Sequence, residues 1–446
     1  MSMAGELNYE SWGRFPKVSH LGGIAPVNAN KVYTAIKSAD SLILPRGEGR
    51  SYGDSCLNDG GYLLFTKHLN KFYAFDSDRG LLKCESGVTL DEILRVFVPK
   101  GWFLPVTPGT KFVTVGGAIA NDVHGKNHHK AGSFGNHVTK FELQRSDGTR
   151  ITCSRDNNSD WFRATIGGLG LTGVILWAEF SLKPIQGPYI QMESVKFCGI
   201  DEFLQISKEA EKSFEYTVSW LDCAGSHSGI RGIFMKGNHA ETIEADVSKV
   251  IHKNAAWKTF PVDAPSFLLS TETIKAFNFL FYHKQIKKHQ RTLVHYDPFF
   301  YPLDGINHWN RMYGKRGFLQ WQCVVPSDGK NEVIGKILQE IIESKLAAFL
   351  TVLKEFGNLP AEGLLSFPMP GITLALDFPN AGERLFSLLD RLDEIVAGAN
   401  GRIYPAKDAR MSNKTFHAAF PEFDNFTKYI DPKFSSSFLR RVRGNG

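Results

Sequence analysis

The chain has 446 residues, 42% of them hydrophobic and 22% charged, which is ordinary globular usage and excludes a disordered chain. Lys+Arg 52 against Asp+Glu 46 leaves +6, too mild and too scattered for the basic footprint of a nucleic-acid binder. Six isolated cysteines, Cys56, Cys84, Cys153, Cys198, Cys223 and Cys323, form no CxxC pair and no zinc-type cluster, so reduced, mostly buried thiols are expected and no metal site.

At roughly 150 residues per domain, the length predicts two or three domains, or one large unit with an inserted lobe. MSMAGELNYESWGRFP lacks a signal-peptide pattern, and no run approaches the ~18 apolar residues of a spanning helix. A cytosolic protein is expected. The 34 Phe, 8 Trp and positive balance are compatible with peripheral contact at the inner face of a membrane.

In chain order, Ser41 to Leu44 and Tyr62 to Phe65 read as strands, Leu90 to Pro99 as a helix capped by Thr89, and Gly173 to Leu182 as a strand. Glycine-rich turns crowd the first 175 positions. After about Pro184 the texture changes. Strand-like alternation at Phe318 to Val325, Ala348 to Phe356 and Ile372 to Phe378 is interleaved with amphipathic helices at Lys330 to Leu346 and Gly382 to Ala397. Residues 225–288 show no clear period and are expected to be mobile loops. The pattern is α+β, with a second, substrate-facing lobe.

Gly168, Gly170 and Gly173 match GxGxxG, but the apolar run after them reads as a strand where a dinucleotide fold needs a helix, so NAD binding is rejected. A better cofactor loop is Pro45, Arg46, Gly47, Glu48, Gly49, Arg50, Ser51, Tyr52, Gly53, Asp54, Ser55. It follows a strand, lacks a P-loop ending, and its glycines let successive N–H groups form an anion nest suited to a pyrophosphate. A second stretch, Pro108 to Gly125, sets Gly109, Gly116 and Gly117 beside Ala118 and Ala120, allowing close approach by a flat ring.

Through RGEGRSYGD, TVGGAIANDVHGKNHHKAGSFGNHV, GGLGLTGVI, FYPLDGINHWNRMYGKRGFLQWQ, LSFPMPG and YPAKDAR, the chain resembles the vanillyl-alcohol-oxidase type of FAD-binding oxidoreductases. Within that type it is similar to oxidases of polyprenylphosphoryl ribose, over nearly its whole length. The resemblance implies a two-subdomain FAD-binding fold, residues 1–188 and 402–446, with an α+β substrate-binding cap, 189–401, built of an antiparallel sheet plus helices. It implies FAD held by residues 45–55, Gly109, Thr114, Val115, Gly116, Gly117, Asn121, Asp122, Val123, His124, Ile175 and Tyr404. The attachment would be non-covalent, because Arg50 stands where some relatives carry a linking histidine.

The implied reaction is oxidation of the 2′-hydroxyl of a lipid-linked phosphoryl ribose to a 2′-keto sugar, which a separate short-chain NAD(P)H reductase would complete to the epimer. Such chemistry needs a proton acceptor and donors that fix the sugar. By resemblance Lys407 reaches the substrate hydroxyl, with His124 and Tyr52 as the other contenders. Lys126, Trp220, Tyr301, Gln320, Gln322 and Lys354 would be further substrate contacts. Gln320 and Gln322, two apart in a strand, share one face, which independently suggests a lined cavity. The alternatives are an alditol or aldonolactone oxidase, which needs no phosphate-binding lysines, and a flavin-free binding or scaffold protein.

Overall fold

The computed structural model describes residues 9–223, 230–241 and 258–444. Three sheets carry the architecture. The first is parallel, in the order Gly22–Ile24, Tyr62–Phe65, Ile43–Arg46. The second is antiparallel, in the order Phe72–Asp76, Leu81–Glu85, Val174–Ser181, Val138–Gln144, Arg150–Ser154. The third has eight strands, antiparallel at every pairing, in the order His289–His295, Tyr189–Cys198, Arg231–His239, Tyr216–Asp222, Leu350–Phe356, Gly371–Pro379, Phe318–Pro326, Arg402–Ile403.

Period-two alternation gives the large sheet two different faces. Leu319, Trp321, Cys323, Val325, Leu353, Ile372, Leu374, Leu376 and Phe378 point into a core shared with the helices Lys330–Ser344 and Glu383–Gly398. The alternate residues, among them Trp220, Gln320, Gln322, Val352, Lys354, Thr373 and Ala375, line a cavity instead. Burying four apolar side chains from each of Phe318–Pro326 and Gly371–Pro379 at ~25 cal/mol per Å² holds this face to its helices, which leaves the other face free to carry polar groups.

Local signals read from the sequence recur at close to their expected bounds. The helix Leu90–Phe97 starts at a Thr89 capping box, with Glu92 N–H donating to Thr89 Oγ1 at 3.2 Å and Thr89 N–H to Glu92 Oε2 at 2.7 Å. The strands Tyr62–Phe65, Phe318–Pro326 and Gly371–Pro379 lie where alternation placed them. All six cysteines are free, four of them buried; Cys56 is half-buried and Cys198 exposed.

The reading of residues 225–288 as loops is corrected where that stretch is described. Arg231–His239 is a strand in the sheet interior, and Thr271–Lys284 is a helix. Neither has a clean period, for different reasons. The strand is packed on both faces and its register is set by its two neighbours. The helix is apolar toward solvent as well as toward the protein. Residues 224–229 and 242–257 lie outside the described residues.

The last segment returns to the first sheet. Ile43 N–H donates to Lys433 O at 2.9 Å, Ser435 N–H donates to Ile43 O at 3.0 Å, and the helix Ser437–Arg443 packs against Asp54–Cys56.

Candidate active site

Two glycine-rich stretches meet at the floor of the cavity, and their contact explains the composition. A Cβ on Gly47 would lie 2.4 Å from Thr114 Oγ1, and one on Gly53 would lie 1.6 Å from the carbonyl oxygen of Asp408. Only glycine lets these segments approach. Among the described residues the N–H groups of Gly47, Glu48, Gly49, Arg50 and Ser51 donate to no protein acceptor, whereas Tyr52 N–H donates to Ala406 O at 2.9 Å. Five successive N–H groups without a protein acceptor beside a strand end fit the backbone nest expected for a pyrophosphate.

Around this floor lies a continuous cavity of about 860 Å³, walled below by residues 45–56 and 107–126 and above by the polar face of the large sheet. Of the expected cofactor positions, Pro45 to Tyr52, Ser55, Gly109, Thr114, Gly116, Gly117, Asn121, Val123, His124, Ile175 and Tyr404 line it. Among the described residues, buried Ser55 Oγ, Ser86 Oγ and His124 Nδ1 find no partner, and all three residues belong to the lining. Unsatisfied polar atoms on residues that line an apolar-walled hollow fit a large ligand with distributed hydrogen-bonding groups, as FAD is.

Four expected cofactor positions are corrected. Gly53 is spent on the close approach to Asp408. Asp54 is buried and paired with Arg441, Oδ1 to Nη2 at 2.7 Å, and the same guanidinium holds Asp408 at 2.8 Å. Val115 points into the core. Asp122 accepts from Gly135 N–H at 2.8 Å and from Ser366 Oγ at 2.5 Å. These residues shape the loops from behind. Tyr301 is corrected likewise: its hydroxyl sits 2.6 Å from Thr107 Oγ1 and it packs in the core, outside the lining. Trp220, Gln320, Gln322, Lys126, Lys354 and Lys407 do line the cavity.

The three lysines set its electrostatics. Burial, with Lys354 nearby, lowers the Lys126 amine to about 7, with no carboxylate acting against it; its Nζ lies 5.1 Å from the Phe299 ring centroid. Burial alone lowers Lys354 to about 8, and its Nζ donates to Gly125 O at 3.3 Å. Burial lowers Lys407 to about 7, Asp377 opposing and Lys354 assisting, and its Nζ stands 3.7 Å over the Tyr52 ring. Cations gathered without matching anions describe a place for an anionic ligand.

The same surroundings separate the three candidate proton acceptors. His124 Nε2 accepts from Gln322 Nε2 at 3.0 Å, so the neutral ring carries its proton on Nδ1, and burial beside Lys354 keeps it neutral well below the ordinary imidazole range. Burial, reinforced by the charges of Asp377 and Asp304, holds the Tyr52 phenol well above its usual value, so it stays protonated and is no base near neutrality. Of these three, Lys407 is the one that combines a cavity position with a group that loses its proton near neutrality.

Asp377 was not among the residues expected from the sequence. It stands opposite Gln320 in the ladder, bonded to Gln320 Nε2, and burial pushes its carboxyl up to about 7 against the pull of Lys407. A carboxylate inside the apolar strand ITLALDF is an available signal, but alternation shows only a face and not what lies across it. The turn GLGLTG was also underrated. A strand does follow it, as the rejection of NAD requires, yet Leu169, Gly170 and Gly173 line the cavity because Leu169 N–H donates to Ala120 O at 2.8 Å and draws the turn in.

Known proteins place this arrangement. The FAD binding domain family model matches residues 24–154. The chain is 36% identical to decaprenylphosphoryl-beta-D-ribose oxidase of Mycolicibacterium smegmatis, over 97% of this chain and 96% of that protein. It is 31% identical to an uncharacterised protein of Streptomyces coelicolor over 80% of this chain and the whole of that one. Human Delta(24)-sterol reductase is 29% identical across 31% of this chain and 28% of its own length. The chain thus belongs to the vanillyl-alcohol-oxidase type of FAD-binding oxidoreductases, in the branch of the decaprenylphosphoryl-beta-D-ribose oxidases, and is an FAD-dependent oxidoreductase.

Proposed function

We propose that this enzyme oxidises the 2′-hydroxyl of a polyprenylphosphoryl-β-D-ribose to the 2′-keto sugar, as the first half of an epimerisation completed by a separate NAD(P)H reductase. The observation that carries this reading is the lysine trio, Lys126, Lys354 and Lys407, desolvated around one cavity with Asp377 as the single opposing charge among the causes of their shifts. A neutral polyol gives Lys126 and Lys354 nothing to bind; a phosphodiester does. The branch to which the chain belongs supports the sugar.

Bound FAD, held on the nest of residues 47–51 without a covalent link, supplies the acceptor for the hydride that leaves C2′. The protein's own residues manage the proton and the orientation. Lys407, neutral before reaction, takes the hydroxyl proton, and ionised Asp377 stabilises the ammonium that results. Gln320 and Gln322 are held in place by Asp377 and by Thr373 Oγ1, the latter at 3.1 Å, and fix the sugar from the roof. His124 Nδ1–H remains as a fixed neutral donor. Tyr404 clamps the cofactor side, its hydroxyl donating to Asn121 O at 3.0 Å and its ring stacked on Phe367 at 4.5 Å.

The division into a cofactor-binding part, 1–188 with 402–446, and a cap, 189–401, belongs to the same reading. It is supported by seven of the eight strands of the large sheet lying within 189–401, the eighth, Arg402–Ile403, joining the two parts, and by the return of the C-terminal segment onto Ile43. Peripheral membrane contact follows from the lipid substrate; among the described residues no helix is long and apolar enough to cross a membrane. The test is anaerobic bleaching of the flavin absorbance by phosphoprenyl riboses, free alditols and aldonolactones in turn. Bleaching by the phosphorylated lipid alone supports the reading; equal bleaching by free polyols removes it.

A further inference from the structure

The helix Thr271–Lys284 and the chain that follows it to Leu293 expose Phe277, Phe279, Leu280, Phe281, Ile286 and Leu293, six of the fifteen large apolar side chains exposed among the described residues. Leu280 is 67% exposed and Ile286 91%. A helix that is apolar on its solvent side needs an apolar medium there. The same 23 residues hold Lys275, Lys284, Lys287, Lys288 and Arg291 against Glu272, a local +4 in a chain of +6. Outside the segment, Glu202 engages Lys288 at 2.8 Å and Glu193 engages Arg291 at 2.6 Å. Among the described residues Lys275, Lys284 and Lys287 enter no ion pair. Phe277, Phe281 and Lys284 also line the cavity, so the apolar surface runs unbroken from the exterior to the site.

We propose that residues 271–293 dock on an anionic phospholipid surface and turn the cavity mouth to the bilayer. Apolar side chains at the level of the acyl boundary, ringed by unpaired cations, are the two signals that together give stable interfacial binding. A second protein copy would bring the same positive charge to this face and be repelled by it. The proposal rests on the lipid-linked substrate only for its purpose; the surface stands on its own composition.

The test is co-sedimentation of the FAD-loaded protein with vesicles of phosphatidylglycerol and phosphatidylcholine, compared with phosphatidylcholine alone. No sugar substrate is present, so a failure here is separate from a failure of flavin bleaching by detergent-solubilised substrate. Binding is expected only with the anionic lipid. Leu280→Ser with Ile286→Ser, and separately Lys275→Gln with Lys287→Gln, should each weaken it about tenfold or more, with flavin absorbance, Tm and detergent-phase bleaching unchanged. Val27→Ser, also at an exposed apolar position (69%), serves as the control and should bind as the parent does. Equal binding to both vesicle types, undiminished binding by the serine pair, an equal loss in the Val27 control, or a dimer in light scattering that the serine pair dissolves would each overturn the assignment.

Discussion

Lys407 is useful because it is poorly solvated, and that makes its contribution readable in pH. As base it must be neutral, while Lys126 and Lys354 must be charged to hold a phosphodiester. Lys407 and Lys126 lose their protons near 7 and Lys354 near 8, so kcat/KM should trace a narrow bell with both limbs between about 7 and 8. Lys407→Met should keep FAD and lower the rate of anaerobic flavin reduction by roughly 10²–10⁴-fold; ordinary reduction rates in that variant would take the lysine out of the mechanism. Asp377 raises the Lys407 value, so Asp377→Asn should move the acid limb to lower pH. Linkage gives a second readout. Unfolded lysines hold their protons up to about 10.5, but these folded ones release them near 7 to 8, so the unfolded state binds more protons in between. Their unfavourable contribution to stability is full below pH 7 and fades toward 10.5. The denaturant midpoint of the substrate-free enzyme should therefore rise with pH across that window, and Lys126→Met with Lys354→Met should flatten the rise.

At the scale of elements, the site depends on loops pinned from behind. Arg441, in the C-terminal helix, bridges Asp54 in the first glycine loop and Asp408 next to Lys407, so one guanidinium ties the proposed cofactor cradle to the proposed base. Arg441→Met leaves two buried carboxylates facing each other; a loss of roughly 3–5 kcal/mol is expected in chemical unfolding, together with weaker FAD retention. Gly53→Ala tests the same junction, since its Cβ would overlap the Asp408 carbonyl, and a soluble variant with unchanged FAD affinity would contradict the picture. Much of this was legible locally. RGEGRSYGD and AKDAR could be singled out as chemistry-bearing segments, but their contact spans over 350 residues, and nothing in either segment specifies the other. Asp54 therefore reads as a cofactor ligand in sequence and turns out to be a pin in the fold.

For the molecule as a whole, the cavity draws its walls from nearly every part of the chain, from Trp12 to Lys407. FAD held in this cavity would stabilise the fold by about 2.7 kcal/mol at a hundredfold excess over its Kd, so the Tm should climb with added FAD. Periodicity, turn chemistry and composition determined by themselves that this is an α+β protein, where the longer strands and helices of the large sheet lie, and that Gln320 and Gln322 share a face. Those are local properties, written in side-chain spacing and backbone preference. Only the tertiary structure decided which polar groups meet: Asp377 near Lys407, His124 on Gln322, Arg441 across two loops, and Tyr301 turned away into the core. Proton affinity is set by desolvation and by charges brought together from distant positions, and neither exists until the chain has folded.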